Sequence, residues 1–278
     1  AEKNTFGKGS GNADRSQNKH DHVKAPGEYA KIMLPELTFP YLIPGQEVLL
    51  DDGKIHLKIV EKAENMAENG GENTQGKRYF AKVLWGGLLK SRKSAALPGA
   101  KIYPPTLTNS DLANIKIAKE MGVTGVMQPF VRDHSDLECV KEALREAGAE
   151  DIRLFAKIEN MDGVRKLEKL LPAADEIVIA RGDLGNAVHL WDLPGVQRQI
   201  SEKCRAAGKP FMVVTQMLAS MERSPVPTRA EVNDIFHAVM DGAASIMVTG
   251  ETAVGDYPVE VIRYMVNTVR SAEKKENR

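Results

Sequence analysis

The chain has 278 residues, 42% of them hydrophobic, and its 38 basic and 38 acidic side chains leave no formal net charge. This length suits one large α/β domain or two smaller ones. Without net charge the chain has no general attraction for nucleic acid or for an anionic membrane surface, so we expect neither partner. No apolar run reaches the roughly 20 residues that span a bilayer, and the first residues lack a secretory signal, which favours a cytoplasmic location. Cys139 and Cys204 are too few for a disulfide framework or a zinc site.

The first part of the chain is predicted to be irregular and then β-rich. Residues 1–29 are polar and rich in Gly, Asn, Lys and His, which predicts a flexible segment. After them, short apolar stretches alternate with turn residues, as in antiparallel strands. The predicted strands cover residues 32–34, 47–50, 55–60 and 79–85. Asp-Gly at Asp52-Gly53 is a strong hairpin signal between two of them. We therefore expect a small all-β domain over residues 30–98.

Helices and strands alternate from residue 99 to residue 278. Helical spacing and capping residues predict helices over 110–121, 135–147, 161–171, 194–207, from 228 to about 242, and from 258 onward. The apolar runs between them predict strands over 123–131, 152–158, 177–180, 211–215 and 245–248. Sustained alternation of this kind indicates a parallel sheet of about five βα units. Five units do not by themselves close an eight-stranded barrel.

Lys157 and Glu159 place opposite charges two residues apart in an otherwise apolar strand. Side chains two positions apart in a strand point the same way. Such a pair is costly in the middle of a sheet but useful at the carboxyl end of a parallel strand, where α/β enzymes place their sites. The next predicted strands likewise end in polar residues, at Asp183, at Thr215, and at Thr249 with Glu251.

These residue types point to metal-assisted chemistry. Glu159 and Asp183 can together hold Mg²⁺ or Mn²⁺ and leave positions open for substrate oxygens. Lys157 is a compact cation suited to stabilising an enolate oxygen or a phosphoryl group in transfer. The amides of Gly182 and Asp183, in a predicted turn before a helical stretch, could accept a small carboxylate. Taken alone, Lys157 and Glu159 are equally compatible with a surface ion pair.

The same residues lie in longer motifs that resemble those of the pyruvate kinase family. The motifs cover residues 156–160, 180–185, 214–218, 224–232 and 250–253, in that order. The resemblance extends from about residue 30 to about residue 272. It implies a (β/α)8 TIM-barrel fold that is incomplete in this chain, with the all-β region as a small lid domain inserted after the third barrel strand.

The resemblance also implies roles for the strand-end residues. Glu159 and Asp183 would bind the divalent metal, and Lys157 would assist phosphoryl transfer from phosphoenolpyruvate to ADP, giving pyruvate and ATP in glycolysis. Thr215 and the backbone of Gly182 and Asp183 would hold the phosphoenolpyruvate carboxylate. The enolate would then be protonated near Thr215.

Further expectations concern the nucleotide and the parts of the family pattern that this sequence lacks. The lid residues Asp52, Arg92 and Lys93 would close over the phosphates of ADP or ATP. The family's K⁺ ligands and a phosphate-binding Arg lie on three barrel strands before the lid, and these have no counterpart in this sequence. Pro129 stands before Phe130 where the family usually has Ser.

Two alternatives remain open at this point. A Lys, a Glu and an Asp around Mg²⁺ suffice to stabilise the enolate of pyruvate or oxaloacetate, so a decarboxylase or lyase is conceivable. The chain could instead be a non-catalytic, incomplete polypeptide that needs a partner, because five parallel strands leave two edges that invite pairing. We expect a homo-oligomer, or a second chain that completes the barrel.

Overall fold

The computed structural model describes residues 30–51, 53–63, 78–91 and 93–276. The chain divides into two compact units, Ala1–Leu34 and Pro35–Arg278. The predicted flexible segment 1–29 lies outside the described residues. The predicted strand over residues 32–34 is wrong, because residues 30–34 form no helix or strand. Met33 is 98% exposed, so the apolar side chains of this short run are not buried as those of a sheet strand would be.

Four strands of the second unit form an antiparallel sheet. After a 3₁₀-helix at Glu36–Tyr41 come β1 (Glu47–Leu50), β2 (Ile55–Lys62), β3 (Tyr79–Trp85) and β4 (Ala95–Ala96). Their order in the sheet is β3-β2-β1-β4. The β1–β2 hairpin closes where Leu50 pairs with Ile55, and Gly53 takes the left-handed conformation (φ +83°) that its turn requires. With only two residues, β4 is too short for a sequence pattern to reveal.

The remainder of this unit alternates helices and strands. In chain order the elements are α1 (Asn109–Ala118), β5 (Gly125–Gln128), α2 (His134–Glu146), β6 (Arg153–Ile158), α3 (Met161–Arg165), α4 (Leu167–Leu170), β7 (Glu176–Ala180), α5 (Arg181–Ala187), α6 (Leu193–Ala206), β8 (Phe211–Val214), α7 (Arg229–Met240), β9 (Ser245–Met247), α8 (Gly250–Ala253) and α9 (Pro258–Glu276). A second 3₁₀-helix, Ala219–Glu222, follows β8.

Strands β5 to β9 form one parallel sheet in their chain order. Each strand is joined to the next by a helical crossover, the connection that parallel neighbours require. Within the described residues the sheet is open, with β5 and β9 as its edges. This confirms a mixed α/β fold with a parallel sheet; among the described strands no closed barrel is formed.

The hydrophobic core lies between this sheet and its helices. Every residue of the central strand β7 is buried. Leu137 on α2, Ile200 on α6 and Phe211 on β8 are at most 1% exposed and belong to one continuous cluster with the sheet. Burying a side chain of this size contributes roughly 1.5 to 3 kcal/mol, so the sheet is a rigid platform for what its strand ends carry. Within the described residues no helix combines the length and the apolar character needed to cross a bilayer.

Three local predictions need correction. The helix expected over residues 161–171 breaks at Lys166 (φ −97°, ψ 8°), which separates α3 from α4. Strand β5 ends at Gln128 instead of continuing to 131, because Pro129 carries no amide hydrogen for a ladder bond. Helix α1, expected over residues 110–121, covers Asn109–Ala118 and is capped by Thr108, whose hydroxyl and backbone exchange hydrogen bonds with Asp111.

Candidate active site

The carboxyl ends of the parallel strands meet at one edge of the sheet. Ile158 of β6 is in register with Ile179 of β7, and Ala180 of β7 is in register with Val214 of β8. The next residues along the chain are therefore brought together by the sheet itself. They include the strand-end residues that the sequence singles out for chemistry, as parallel sheets generally place their sites here.

Lys157 and Glu159 form an ion pair at the end of β6. Lys157 Nζ lies 2.7 Å from Glu159 Oε1, and the two side chains are 24% and 1% exposed. A carboxylate that is almost wholly removed from water needs partners for both of its oxygens. The Lys157 side chain is partly buried and the Glu159 side chain is fully buried, which distinguishes this ion pair from an ordinary surface pair.

The second oxygen of Glu159 is bound by a turn that follows the neighbouring strand β5. The backbone N–H of Phe130 donates to Glu159 Oε2 at 2.6 Å. Phe130 has a φ of 52°, in the left-handed region that favours glycine. Sequence reasoning missed this role, although the unusual Pro129 marked the turn that contains it.

Thr215 stands directly after β8 in a backbone conformation that is rare for its type. Its φ is 75°, and that of Gln216 is 54°. A β-branched residue in this region is a genuine outlier, and such strain concentrates at functional sites. The Thr215 hydroxyl accepts a hydrogen bond from the Gly182 amide at 2.8 Å and donates to the Val214 carbonyl at 2.5 Å.

The Arg181 side chain holds this strained turn from the end of β7. Its guanidinium donates to the Thr215 carbonyl at 2.8 Å and forms an ion pair with Asp234 of α7 at 2.6 Å. The Arg181 side chain is 12% exposed. Sequence reasoning did not identify Arg181, because its partners are 34 and 53 residues away along the chain.

Gly182 and Asp183 lie in the first turn of α5, not in the turn that the sequence predicts. The Gly182 amide, expected to bind a substrate carboxylate, donates to the Thr215 hydroxyl in this structure. Asp183 is half-buried and follows β7, next to the strand that ends in Glu159.

Glu251 lies in the first turn of α8, after β9, and is 2% exposed. Its carboxylate accepts hydrogen bonds from the amides of Leu218 at 3.2 Å and Thr249 at 2.8 Å. The Thr249 hydroxyl also donates to this carboxylate at 3.5 Å, so these partners lie in the loops after β8 and β9. We therefore assign Glu251 to holding these loops together.

The residues expected to bind nucleotide are only partly described. Asp52 and Arg92 lie outside the described residues. Lys93 forms an ion pair with Asp51 in the β1–β2 turn, with 2.9 Å between Nζ and Oδ1. Hydrogen bonding from Lys93, with a further contribution from Lys54, lowers the pKa of Asp51. The structure therefore places Lys93 against Asp51, directly after β1.

The donors at the strand ends fit a divalent cation that also needs oxygens from a substrate. Among the described residues, no group of three or more His, Cys, Asp or Glu side chains is arranged around a common metal position. Mg²⁺ in phosphoryl-transfer sites is commonly held by one or two carboxylates together with substrate phosphates and water. Glu159 and Asp183 provide two such carboxylates, and the buried Glu159 carboxylate is already oriented by Lys157 and Phe130.

Comparison with known proteins identifies the family of this chain. A family model described as the pyruvate kinase barrel domain matches residues 17–262. The pyruvate kinase of Bacillus licheniformis is 38% identical over 233 residues, which is 84% of this chain and 38% of that protein. That of Geobacillus stearothermophilus is 39% identical over 233 residues, 82% of this chain and 38% of that protein. For Clostridium acetobutylicum the identity is 35% over 234 residues, 84% of this chain and 47% of that protein. The chain thus spans about two fifths to one half of the length of these relatives.

Proposed function

The chain belongs to the pyruvate kinase family, and we propose that it carries the metal and enolate part of a site for phosphoryl transfer from phosphoenolpyruvate to ADP. The observation that supports this most strongly is the Lys157–Glu159 ion pair at the end of β6, with a glutamate that is 1% exposed. Asp183 follows the adjacent strand. The comparisons do not favour the decarboxylase or lyase alternative.

In this proposal Glu159 and Asp183 hold Mg²⁺ or Mn²⁺. When bound, the cation supplies positive charge for the oxygens of the phosphoryl group and the enolate. The Lys157 ammonium, 2.7 Å from Glu159, adds a second positive charge at the same place. It offsets the charge that develops on the transferred group or on the enolate oxygen, in a site where little water screens it.

Thr215, Gly182 and Asp183 form the other wall of the proposed site. The substrate carboxylate binds the Gly182 and Asp183 amides at the start of α5, after the Thr215 hydroxyl leaves the Gly182 amide. The hydroxyl proton of Thr215 is held on the Val214 carbonyl at 2.5 Å. Rotation of this hydroxyl towards the substrate allows it to pass a proton from solvent water to the enolate carbon, regaining its own proton from that water in the same step, which we place beside Thr215.

We further propose the family's domain arrangement for this chain. The antiparallel sheet β1–β4 belongs to a lid domain over residues 30–98, and residues 99–278 form part of a (β/α)8 barrel. Asp52, Arg92 and Lys93 of the lid contact the phosphates of ADP or ATP. A homo-oligomer, or a second chain pairing with the open edges β5 and β9, remains a prediction, as does a cytoplasmic location.

The test is pyruvate formation from phosphoenolpyruvate and ADP, measured with lactate dehydrogenase and NADH in the presence of Mg²⁺ and K⁺. We expect a metal-dependent rate that Lys157→Met lowers by about 10²- to 10³-fold, the usual cost of removing one charge-stabilising donor. Lys119→Met is the matched control, because Lys119 pairs with Asp151 at the surface. A Lys157→Met variant that forms pyruvate as fast as the control would contradict the proposal.

A further inference from the structure

The turn at Pro129 and Phe130 has a conformation that its own side chains do not explain. Phe130 has a φ of 52°, which L-residues with a bulky side chain rarely adopt. Its ring is 52% exposed, so burial of the ring does not force this backbone geometry. The explanation must come from what the backbone of the turn contacts.

The backbone of this turn is bound to the end of β6 at three points. The Val131 amide donates to the Lys157 carbonyl at 3.3 Å, and Asn160 Nδ2 donates to the Val131 carbonyl at 3.1 Å. The third bond is donated by the Phe130 amide to Glu159 Oε2, at 2.6 Å. The left-handed residue is thus the one whose amide contacts the buried carboxylate.

The two oxygens of Glu159 have different partners. Oε2 accepts from the Phe130 amide, and Oε1 faces Lys157. A backbone donor in a fixed turn restricts the carboxylate much more than a long, partly exposed lysine can. Donors behind a metal ligand commonly set its orientation and, with it, the affinity for the metal.

We propose that Phe130 is a positioning residue whose left-handed backbone aims its amide at Glu159 and fixes the carboxylate for a divalent cation. This inference rests on the proposed function, since it takes Glu159 as a metal ligand. The role belongs to the backbone amide and the φ angle, and not to the aromatic ring. We therefore expect glycine at position 130 to preserve this role and proline to abolish it.

Gly163 of α3 offers an independent way to disturb the same turn. A Cβ atom at this position would lie 2.6 Å from the Val131 carbonyl, too close for either group to stay in place. Gly163→Ala therefore displaces the turn without removing the Phe130 amide or altering Glu159. It provides a second variant should a proline at position 130 prevent folding.

The experiment measures Mn²⁺ binding by the full chain without substrate, from the electron paramagnetic resonance signal of free Mn²⁺. We expect Phe130→Gly to keep the dissociation constant within about threefold of the original chain, because it keeps the amide and accepts a positive φ. Phe130→Pro removes the amide and should raise the constant about tenfold or more, and Gly163→Ala should raise it severalfold. Leu137→Ala, a core change in α2, controls for lost stability and should leave the constant unchanged.

Glu159→Gln separates the two possible failures. If Glu159→Gln weakens Mn²⁺ binding while Phe130→Pro and Gly163→Ala bind as the original chain does, the positioning role of Phe130 is wrong. If Glu159→Gln also leaves binding unchanged, the metal site itself is wrong. Should Phe130→Pro fail to fold, Gly163→Ala alone decides, and unchanged Mn²⁺ affinity in that variant overturns the inference.

Discussion

The two sheets of this protein differ in the partners that they provide for buried polar side chains. At the ends of β6 and β9 in the parallel sheet, Glu159 and Glu251 are at most 3% exposed, and each has hydrogen-bond donors. In the antiparallel sheet most of β3 is exposed, and the ring nitrogens of the buried His56 have no hydrogen bond within the described part of the chain. Glu47 Oε2 lies 3.1 Å from His56 Nε2, within ion-pair distance but without a hydrogen bond between them.

The difference indicates where fixed geometry is needed. Buried charges in the parallel sheet are held by backbone amides and opposite charges, as expected for a preorganised site. Among the described residues of the antiparallel part, the buried Asp51 is paired with Lys93, whereas the buried His56 has no hydrogen bond on its ring nitrogens. Three changes test this contrast, in order of decreasing expected effect on stability.

Removing the cation from the end of β6 should have the largest effect. Lys157→Met leaves Glu159 buried without its ion-pair partner, and a broken buried pair costs about 3 kcal/mol of unfolding free energy. Urea unfolding measures this loss. The double variant Lys157→Met/Glu159→Gln should recover part of it, since no charge then remains buried. A loss below about 1 kcal/mol for the single variant would mean that water reaches Glu159 freely.

Acidification should lower the stability of the part of the protein that contains the parallel sheet, through Asp136 of α2. Burial acts to raise the pKa of this carboxyl, but hydrogen bonds from Arg132 and Thr106 outweigh it and lower the pKa from 3.8 to about 2. Because the folded pKa is the lower one, the stabilisation is complete above pH 4 and is lost as the pH falls towards 2. The shift corresponds to about 2 kcal/mol.

Urea unfolding at several pH values between 5 and 2 measures this contribution. Asp136→Asn removes the titrating group, so the variant should be less stable at pH 5 and should lose less stability on acidification. A variant with the same pH dependence as the original chain would show that Asp136 does not titrate as its contacts with Arg132 and Thr106 indicate.

His56→Phe should have the smallest effect, and in the opposite direction. It removes two unsatisfied ring nitrogens while keeping an aromatic ring against Trp85, whose centroid is 4.2 Å away. The change should leave stability unaltered or raise it by about 1 kcal/mol in thermal unfolding. His134→Phe, on the exposed surface of α2, is the control. Clear destabilisation by His56→Phe alone would mean that His56 has a polar partner in solution.

Much of the fold can be read from the sequence, because apolar runs and capping residues act locally. The Thr228 and Glu231 capping box that opens α7 is one example, and the strand-end positions of Lys157 and Glu159 are another. The sequence also identifies the family, which the comparisons confirm.

The positive φ angles at Phe130 and Thr215 could not be predicted in this way. Each depends on a contact with a distant part of the chain, Glu159 for Phe130 and Arg181 for Thr215. Residue preferences favour other conformations at both positions, and only the assembled sheet brings the stabilising partner into place. The break at Lys166 between α3 and α4 is similarly invisible to helical periodicity.

The position of a divalent ion tests the central claim most directly. Crystals of this chain grown with Mn²⁺ should show an anomalous scattering peak within coordination distance of the carboxylates of Glu159 and Asp183, at the ends of β6 and β7. The peak should be lost in Glu159→Gln. A peak bound elsewhere, or one that persists in Glu159→Gln with Asp183 as its sole carboxylate ligand, would contradict the metal site on which the proposed function depends.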